Sequence, residues 1–152
     1  MTILTKKFSQ FLSKPVPTQG DQIVGLSGGN NAIYNAYAEN YSPLPRYSVS
    51  TLIQQMVPYS GYVTNNMGLI TFKLPKVCEF GSIFEIIGFS SGGWVIAQNA
   101  GQQIFSGVVA TTQGITGFLA STNPRDSIVL LCVVANTSFV NLTPPQGNPT
   151  VN

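Results

Sequence analysis

From about residue 57 onward, apolar positions recur every second residue in short runs broken by turn-forming residues. Ile70, Phe72 and Leu74 alternate with Thr71 and Lys73, which predicts a strand with one buried face, ended by Pro75. Ser82–Phe89 is rich in β-branched and aromatic residues and predicts a second strand, after which Ser90-Ser91-Gly92-Gly93 reads as a turn. Trp94–Gln98, Gln103–Phe105, Val108–Thr112, Gly117–Ser121 and Phe139–Leu142 are further strand segments. They are punctuated by Asn99-Ala100-Gly101, Asn123-Pro124-Arg125-Asp126 and Asn136-Thr137. Ile128–Val134 is apolar throughout, so it predicts a strand buried on both faces. This succession, without βαβ alternation, predicts an all-β fold: an antiparallel sandwich or jelly-roll-like head, with a small barrel as the other closed form.

The first 50 residues carry shorter signals. Phe8, Phe11 and Leu12 fall at helical spacing for one turn, too short to stand alone, and Pro15 and Pro17 then force extended backbone. Gln22–Leu26 and Ala32–Ala36, joined by Ser27-Gly28-Gly29-Asn30, predict a two-stranded hairpin. A lone hairpin is marginal in water, so this region needs a surface to order on. Pro43 and Pro45 mark a connector, and Ser50 caps an expected short helix over Thr51–Met56 that Pro58 ends. The division expected is an extended N-terminal attachment segment over 1–50 and a β head over 51–152.

Composition narrows the chemistry. The chain of 152 residues carries seven Lys+Arg and five Asp+Glu, 8% charged against about 25% in an ordinary soluble domain. It contains no histidine, which removes Ser-His-Asp and Cys-His nucleophile systems and histidine-based metal centres. Cys78 and Cys132 are too few and too far apart for a cysteine metal site. No catalytic residue, cofactor or metal ligand is therefore expected. A net charge of +2, with Lys6, Lys7 and Lys14 reading as a solvated tail, gives no nucleic-acid footprint. No apolar run approaches a membrane span, and none after the N-terminal lysines makes a signal-peptide core. Synthesis in a reducing cytoplasm with two free thiols is the expectation.

Several runs together resemble a known family. They are Asn66-Met67-Gly68-Leu69-Ile70-Thr71-Phe72-Lys73-Leu74-Pro75, Phe80-Gly81-Ser82-Ile83-Phe84-Glu85-Ile86-Ile87-Gly88 and Gly92-Gly93-Trp94-Val95-Ile96-Ala97-Gln98-Asn99-Ala100-Gly101-Gln102. Ser121-Thr122-Asn123-Pro124-Arg125-Asp126-Ser127, Leu131-Cys132-Val133-Val134-Ala135-Asn136 and Gln146-Gly147-Asn148 follow in order. The arrangement resembles the β domain of bacteriophage tail-fibre-like and related virion proteins. Phe8-Ser9-Gln10-Phe11 and Gly20-Asp21-Gln22-Ile23-Val24-Gly25-Leu26 resemble the short module that often precedes it. The resemblance implies a non-enzymatic, usually homotrimeric fibre or head-type protein on a virion. The chain lacks a long repetitive shaft, which suits a compact tip, a decoration or an adaptor.

The candidate contacts are aromatic. Trp94, the only tryptophan, is read first as a core or subunit-interface residue and second as a sugar-stacking platform. The six tyrosines all fall between Tyr34 and Tyr62. Tyr59 and Tyr62, with Trp94, are candidate glycan or interface contacts. Phe8, Phe11, Tyr34, Tyr37 and Tyr41 form a candidate docking segment for other virion proteins. For the tyrosines, a docking surface and packing on the chain's own β domain stand as equal alternatives. Arg125 and Asp126 read as a structural turn. The partners expected are further copies of the chain, neighbouring virion proteins and a host-surface glycan or protein. The rival function is a stand-alone carbohydrate-binding or adhesin module.

Overall fold

The computed structural model describes residues 44–152 together with two earlier strands, β1 (Gln22–Ser27) and β2 (Asn30–Asn35). Two compact units divide the chain, Met1–Pro43 and Leu44–Asn152. In the first, β1 and β2 pair antiparallel from Gln22↔Asn35 to Ser27↔Asn30, the hairpin expected there. The helical turn at Phe8–Leu12 lies outside the described residues, as do Phe8, Phe11, Tyr37 and Tyr41; for Tyr34 the description extends only to its backbone pairing with Ile23.

The second unit is all-β, two mixed sheets packed face to face. The chain passes from one sheet to the other at each step: β3 (Arg46–Val49), β5 (Ser60–Thr64) and β7 (Ile83–Ile87) enter one sheet. β4 (Ile53–Gln55), β6 (Ile70–Lys73) and β8 (Trp94–Ala97) enter the other. Within each set the neighbours run parallel: β3 with β5, β5 with β7, β4 with β6 and β6 with β8. Parallel neighbours need a long crossover, usually a helix. Here the crossover is itself a strand of the facing sheet. The later strands are β9 (Gln103–Ser106), β10 (Val109–Ala110), β11 (Phe118–Ala120), β12 (Ser127–Val134), β13 (Ser138–Asn141) and β14 (Thr150–Val151). They close the two sheets in the orders β10-β9-β13-β12-β7-β5-β3 and β14-β11-β8-β6-β4.

The all-β class and the sandwich agree with the sequence pattern. The expected antiparallel arrangement needs correction: the sheets are mixed, because period-two alternation is the same in parallel and antiparallel strands. The expected helix over Thr51–Met56 is also corrected. Its centre is β4, whose pairing with β6 satisfies backbone groups that so short a helix would leave unpaired. β3, inside the expected attachment segment, is an end strand of the seven-stranded sheet.

The core lies between the sheets. Ile70, Phe72 and Leu74 from β6 and its end are buried, as the alternation requires, and meet Trp94 and Ile96, Phe84 and Ile86, Leu119, Leu130, Cys132 and Phe139. Burying each such aliphatic or aromatic side chain is worth about 1.5–3 kcal/mol. Phe84 and Phe139 meet edge-on at 6.0 Å between ring centroids. β12 departs from its reading. Ile128, Leu130 and Cys132 face the core, but Val129, Leu131 and Val133 point the other way and are only half-buried.

Candidate functional site

The end strands β3 and β4 flank one opening of the sandwich. Tyr47, Ser48 and Val49 from β3, Gln54 from β4, and Val57, Ser60 and Tyr62 line a cleft of about 280 Å³ there. Tyr47 stands opposite Tyr62 in the parallel register, with centroids 6.3 Å apart, and Tyr62 lies 5.5 Å from Phe72. Three rings thus run from the exposed Tyr47 to the core. Tyr62 is buried, and its hydroxyl accepts a hydrogen bond from the Val57 N–H at 2.7 Å. Val57, one of the lining residues, is exposed, as is Tyr59 two residues on, whereas the exposed Ile53 shares the outward side of β4 with Gln55. No charged side chain lines the cleft.

Tyr59 is 51% exposed and adopts φ 58°, a left-handed conformation that costs a bulky residue about 1–2 kcal/mol. Its N–H donates to the Ile83 carbonyl at 2.8 Å, so the turn at Pro58–Tyr59 is tied to β7 while the ring stays in solvent.

The other candidates are placed differently. Trp94 is 0% exposed, and its Nε1–H donates to the Asp126 carbonyl at 2.7 Å. A ring with no exposed face cannot stack on a sugar, so in this chain Trp94 is a core residue. Tyr62 is likewise a wall of the cleft and not a free contact. Asp126 is a turn residue: its Oδ2 accepts from the Thr122 N–H (2.7 Å), the Asn123 N–H (3.0 Å) and the Thr122 hydroxyl (3.0 Å). Gly147 packs on that carboxylate at φ 91°, where a Cβ would overlap Asp126 Oδ1.

The run Gln98-Asn99-Ala100-Gly101-Gln102 is a clamp made of amides. Gln102 is buried and uses its whole hydrogen-bonding capacity. Its Nε2 donates to the Pro75 (2.8 Å) and Asn136 (3.0 Å) carbonyls, and its Oε1 accepts from the Asn99 N–H (2.8 Å) and Asn99 Nδ2 (3.0 Å). Gln98 Nε2 donates to the Gln102 and Thr112 carbonyls at 2.6 and 3.0 Å, and its Oε1 accepts from the Thr111 hydroxyl. The glutamines hold loops from four parts of the chain together without a charge.

Ionic chemistry is sparse. Arg46 donates from Nε to Glu85 Oε2 at 2.6 Å across β5, where Gly61 leaves room: a Cβ there would lie 2.9 Å from both Arg46 Cγ and Glu85 Oε2. The hydrogen bond and the charge of Glu85 hold Arg46 above its ordinary pKa. Cys78 and Cys132 are buried free thiols. Burial, then the adjoining Cys78 thiol, push Cys132 up to about 11, so it is a poor nucleophile at neutral pH. Among the described residues no cluster of three or more His, Cys, Asp or Glu could hold a metal ion, and no helix is long and apolar enough to cross a membrane.

No protein-family model matches the chain, and no curated protein is significantly similar to it.

Sequence reasoning reached Tyr59 and Tyr62 through the tyrosine cluster. It missed the part that β4 plays through Gln54, because the residues there fell within the expected helix over Thr51–Met56.

Proposed function

We propose that the protein is a non-enzymatic structural protein of a tailed-phage virion, an oligomeric fibre tip or decoration held to a larger particle by its N-terminal residues. One observation carries the associative part of this reading. In the described residues, sixteen large apolar side chains are exposed, whereas residues 44–152 contain only seven charged ones. A soluble monomer keeps large apolar patches rare, and extended ones mark interaction surfaces. The absence of histidine supports the non-enzymatic part, and the motif order quoted above supports the virion.

Size-exclusion chromatography with light scattering tests the assembly: a homotrimer is expected, and a clean monomer at micromolar concentration would sink the reading. Peptide mapping of purified particles tests the location, with many copies per particle expected.

The rival, a stand-alone carbohydrate-binding module, loses its stacking platform with Trp94 in the core. What favours it is the exposed ring of Tyr47 at an uncharged cleft. Glycan-array binding that Tyr47→Ala abolishes, by a chain that is otherwise monomeric, would support that rival.

A further inference from the structure

Two thiols meet in the core. Cys78 and Cys132, the only cysteines, lie 54 positions apart in the chain, yet the Cys132 Sγ comes to 3.9 Å from the Cys78 carbonyl oxygen. Both are buried and free. Hydrogen bonds hold the two residues together from both sides. Asn136 clasps Cys78: its Oδ1 accepts from the Cys78 N–H at 2.8 Å, and its own N–H donates to the Cys78 carbonyl at 2.9 Å. Cys132 is tied to the far end of the same loop. Its N–H donates to the Ser82 carbonyl at 2.9 Å, and its carbonyl accepts from the Gly81 N–H at 2.8 Å. The register of β12 with β13 shifts directly after Cys132, a place where a bulge re-aims side chains.

The two S–H groups are dispensable as donors. They make sulfur contacts to carbonyls: Cys78 Sγ to Glu79 at 3.6 Å, and Cys132 Sγ to Cys78 and Val134 at 3.9 and 3.3 Å. Each of these carbonyls also accepts from a backbone N–H, that of Ser82 for Glu79, Asn136 for Cys78 and Thr137 for Val134. Removing both thiol protons therefore leaves none of them unpaired, which is the usual penalty for deleting a buried donor. Cys78 also lies under a single layer of chain. Lys76 and Val77 before it, and Glu79 and Phe80 after it, are exposed, so a local opening of this loop brings its sulfur into water.

We propose that Cys78 and Cys132 close an intramolecular disulfide when the chain meets a small disulfide such as oxidised glutathione, making a redox-controlled staple between the loop before β7 and strand β12. Cys78, as the thiolate, attacks one sulfur of the oxidant, and the first glutathione leaves as its thiolate. Cys132 then gives up its proton and attacks the Cys78 sulfur of the mixed disulfide, and the second glutathione leaves. Two protein thiols are oxidised to one disulfide, one oxidant disulfide is reduced to two thiols, and the cysteine protons pass to the departing thiolates. Burial, then the adjoining Cys78 thiol, hold the Cys132 proton up to about 11, which suits it to the second, intramolecular step. A sulfur already resting on its partner's backbone needs a side-chain rotation, not a shift of strands, to bond. The bond closes a loop that contains β7 to β11 and locks β12 onto β7. It stabilises by restricting the unfolded chain, and more so for a long loop. In a reducing compartment the pair stays as thiols, and in an oxidising one it closes. A single chain is enough for this, so the staple stands apart from the assembly proposed above.

The test uses the full chain, refolded from urea in a mixture of reduced and oxidised glutathione, then denatured with iodoacetamide to alkylate any free thiol. By mass spectrometry the wild type is expected to carry no alkyl group and to be two hydrogen atoms lighter than the reduced chain. Digestion is expected to yield one linked peptide pair, joining Cys78 to Cys132. At fixed protein concentration its urea midpoint is expected to rise by about 1–2 M over the reduced chain, and to fall back with dithiothreitol. Cys78→Ala and Cys132→Ala, each compared with itself in oxidising and reducing solution, are expected to show no such rise. If either variant fails to fold, wild type with and without dithiothreitol decides. Two alkylated thiols, glutathione left attached, a bond between two chains, or an oxidised midpoint at or below the reduced one would each overturn the staple.

Discussion

Replacing Gln102 with leucine tests whether the amide clamp holds the loops. The two side chains are similar in volume, so the substitution removes hydrogen bonds and adds little cavity. Four bonds disappear, to Pro75, Asn136 and both Asn99 nitrogens. A typical net contribution is about 0.5–1.5 kcal/mol per bond, and a buried group left unpaired costs about 1–3 kcal/mol. The Pro75 and Asn136 carbonyls and the Asn99 N–H lose this partner, and the new side chain's own burial returns part of the loss. The expected destabilisation is about 3–5 kcal/mol, a large share of the roughly 5–15 kcal/mol that holds a domain. Urea unfolding followed by Trp94 fluorescence measures it, with protomer concentration held constant because assembly contributes to apparent stability. At about 2 kcal/mol per molar urea, the midpoint falls by about 2 M. A loss below 1 kcal/mol would show that water or loop movement satisfies the same groups, and the clamp would not be what fixes these loops.

Three further outcomes follow from the same structure. Trp94→Ala is expected to cost about 3–5 kcal/mol by calorimetry, the usual range for a buried large aromatic, and a full-stability variant would restore Trp94 as a surface contact. Gly147→Ala is expected to lower the thermal midpoint by several degrees, since a Cβ there displaces the Asp126 carboxylate from Thr122 and Asn123; an unchanged midpoint would refute that corner as a rigid element. Cys132 holds its proton in the folded chain up to about 11, against an ordinary 9.0. Its contribution is therefore complete below pH 9 and lost as pH rises from 9 to 11, because the unfolded chain releases the proton first. The difference in urea midpoint between wild type and Cys132→Ala is expected to change across that window and to stay flat below it.

Strands such as β6, β7, β8 and β12 were legible because one face of each is buried, and alternation records that directly, as Ile70, Phe72 and Leu74 do. The winding was not legible. Parallel pairing leaves no mark on alternation, and a crossover made by a strand in the opposite sheet carries no helical signal. β4 was misread because Leu52, Ile53 and Met56 fit a helical face as well as they fit a strand end. The apolar run of β12 signalled two-sided burial, but only Ile128, Leu130 and Cys132 are buried, and an unbroken apolar run carries no alternation from which one-sided cover could be read. Trp94 beside two glycines favoured a core or interface residue over a platform, and its full burial with the indole N–H on the Asp126 carbonyl places it in the core. The glutamines of the clamp were quoted for resemblance, and nothing in their spacing revealed that they hold distant loops.

The winding of β3–β8 has a consequence for how the chain is made. Its paired residues lie 15 to 24 positions apart, from Arg46↔Gly61 to Thr71↔Val95. Ser127 and Ile87, which join β12 to β7, lie 40 apart. Short loops close at lower entropic cost, and synthesis delivers the N-terminal strands first. The early strands can therefore stack as they leave the ribosome, whereas β7 waits for the last long strand to cover its edge. A nascent chain stalled before Ser127 is expected to protect β5 amides from exchange, and free exchange there would refute this order. Until β12 arrives, the growing edge of β7 is the point at which two chains made side by side can pair with each other by mistake.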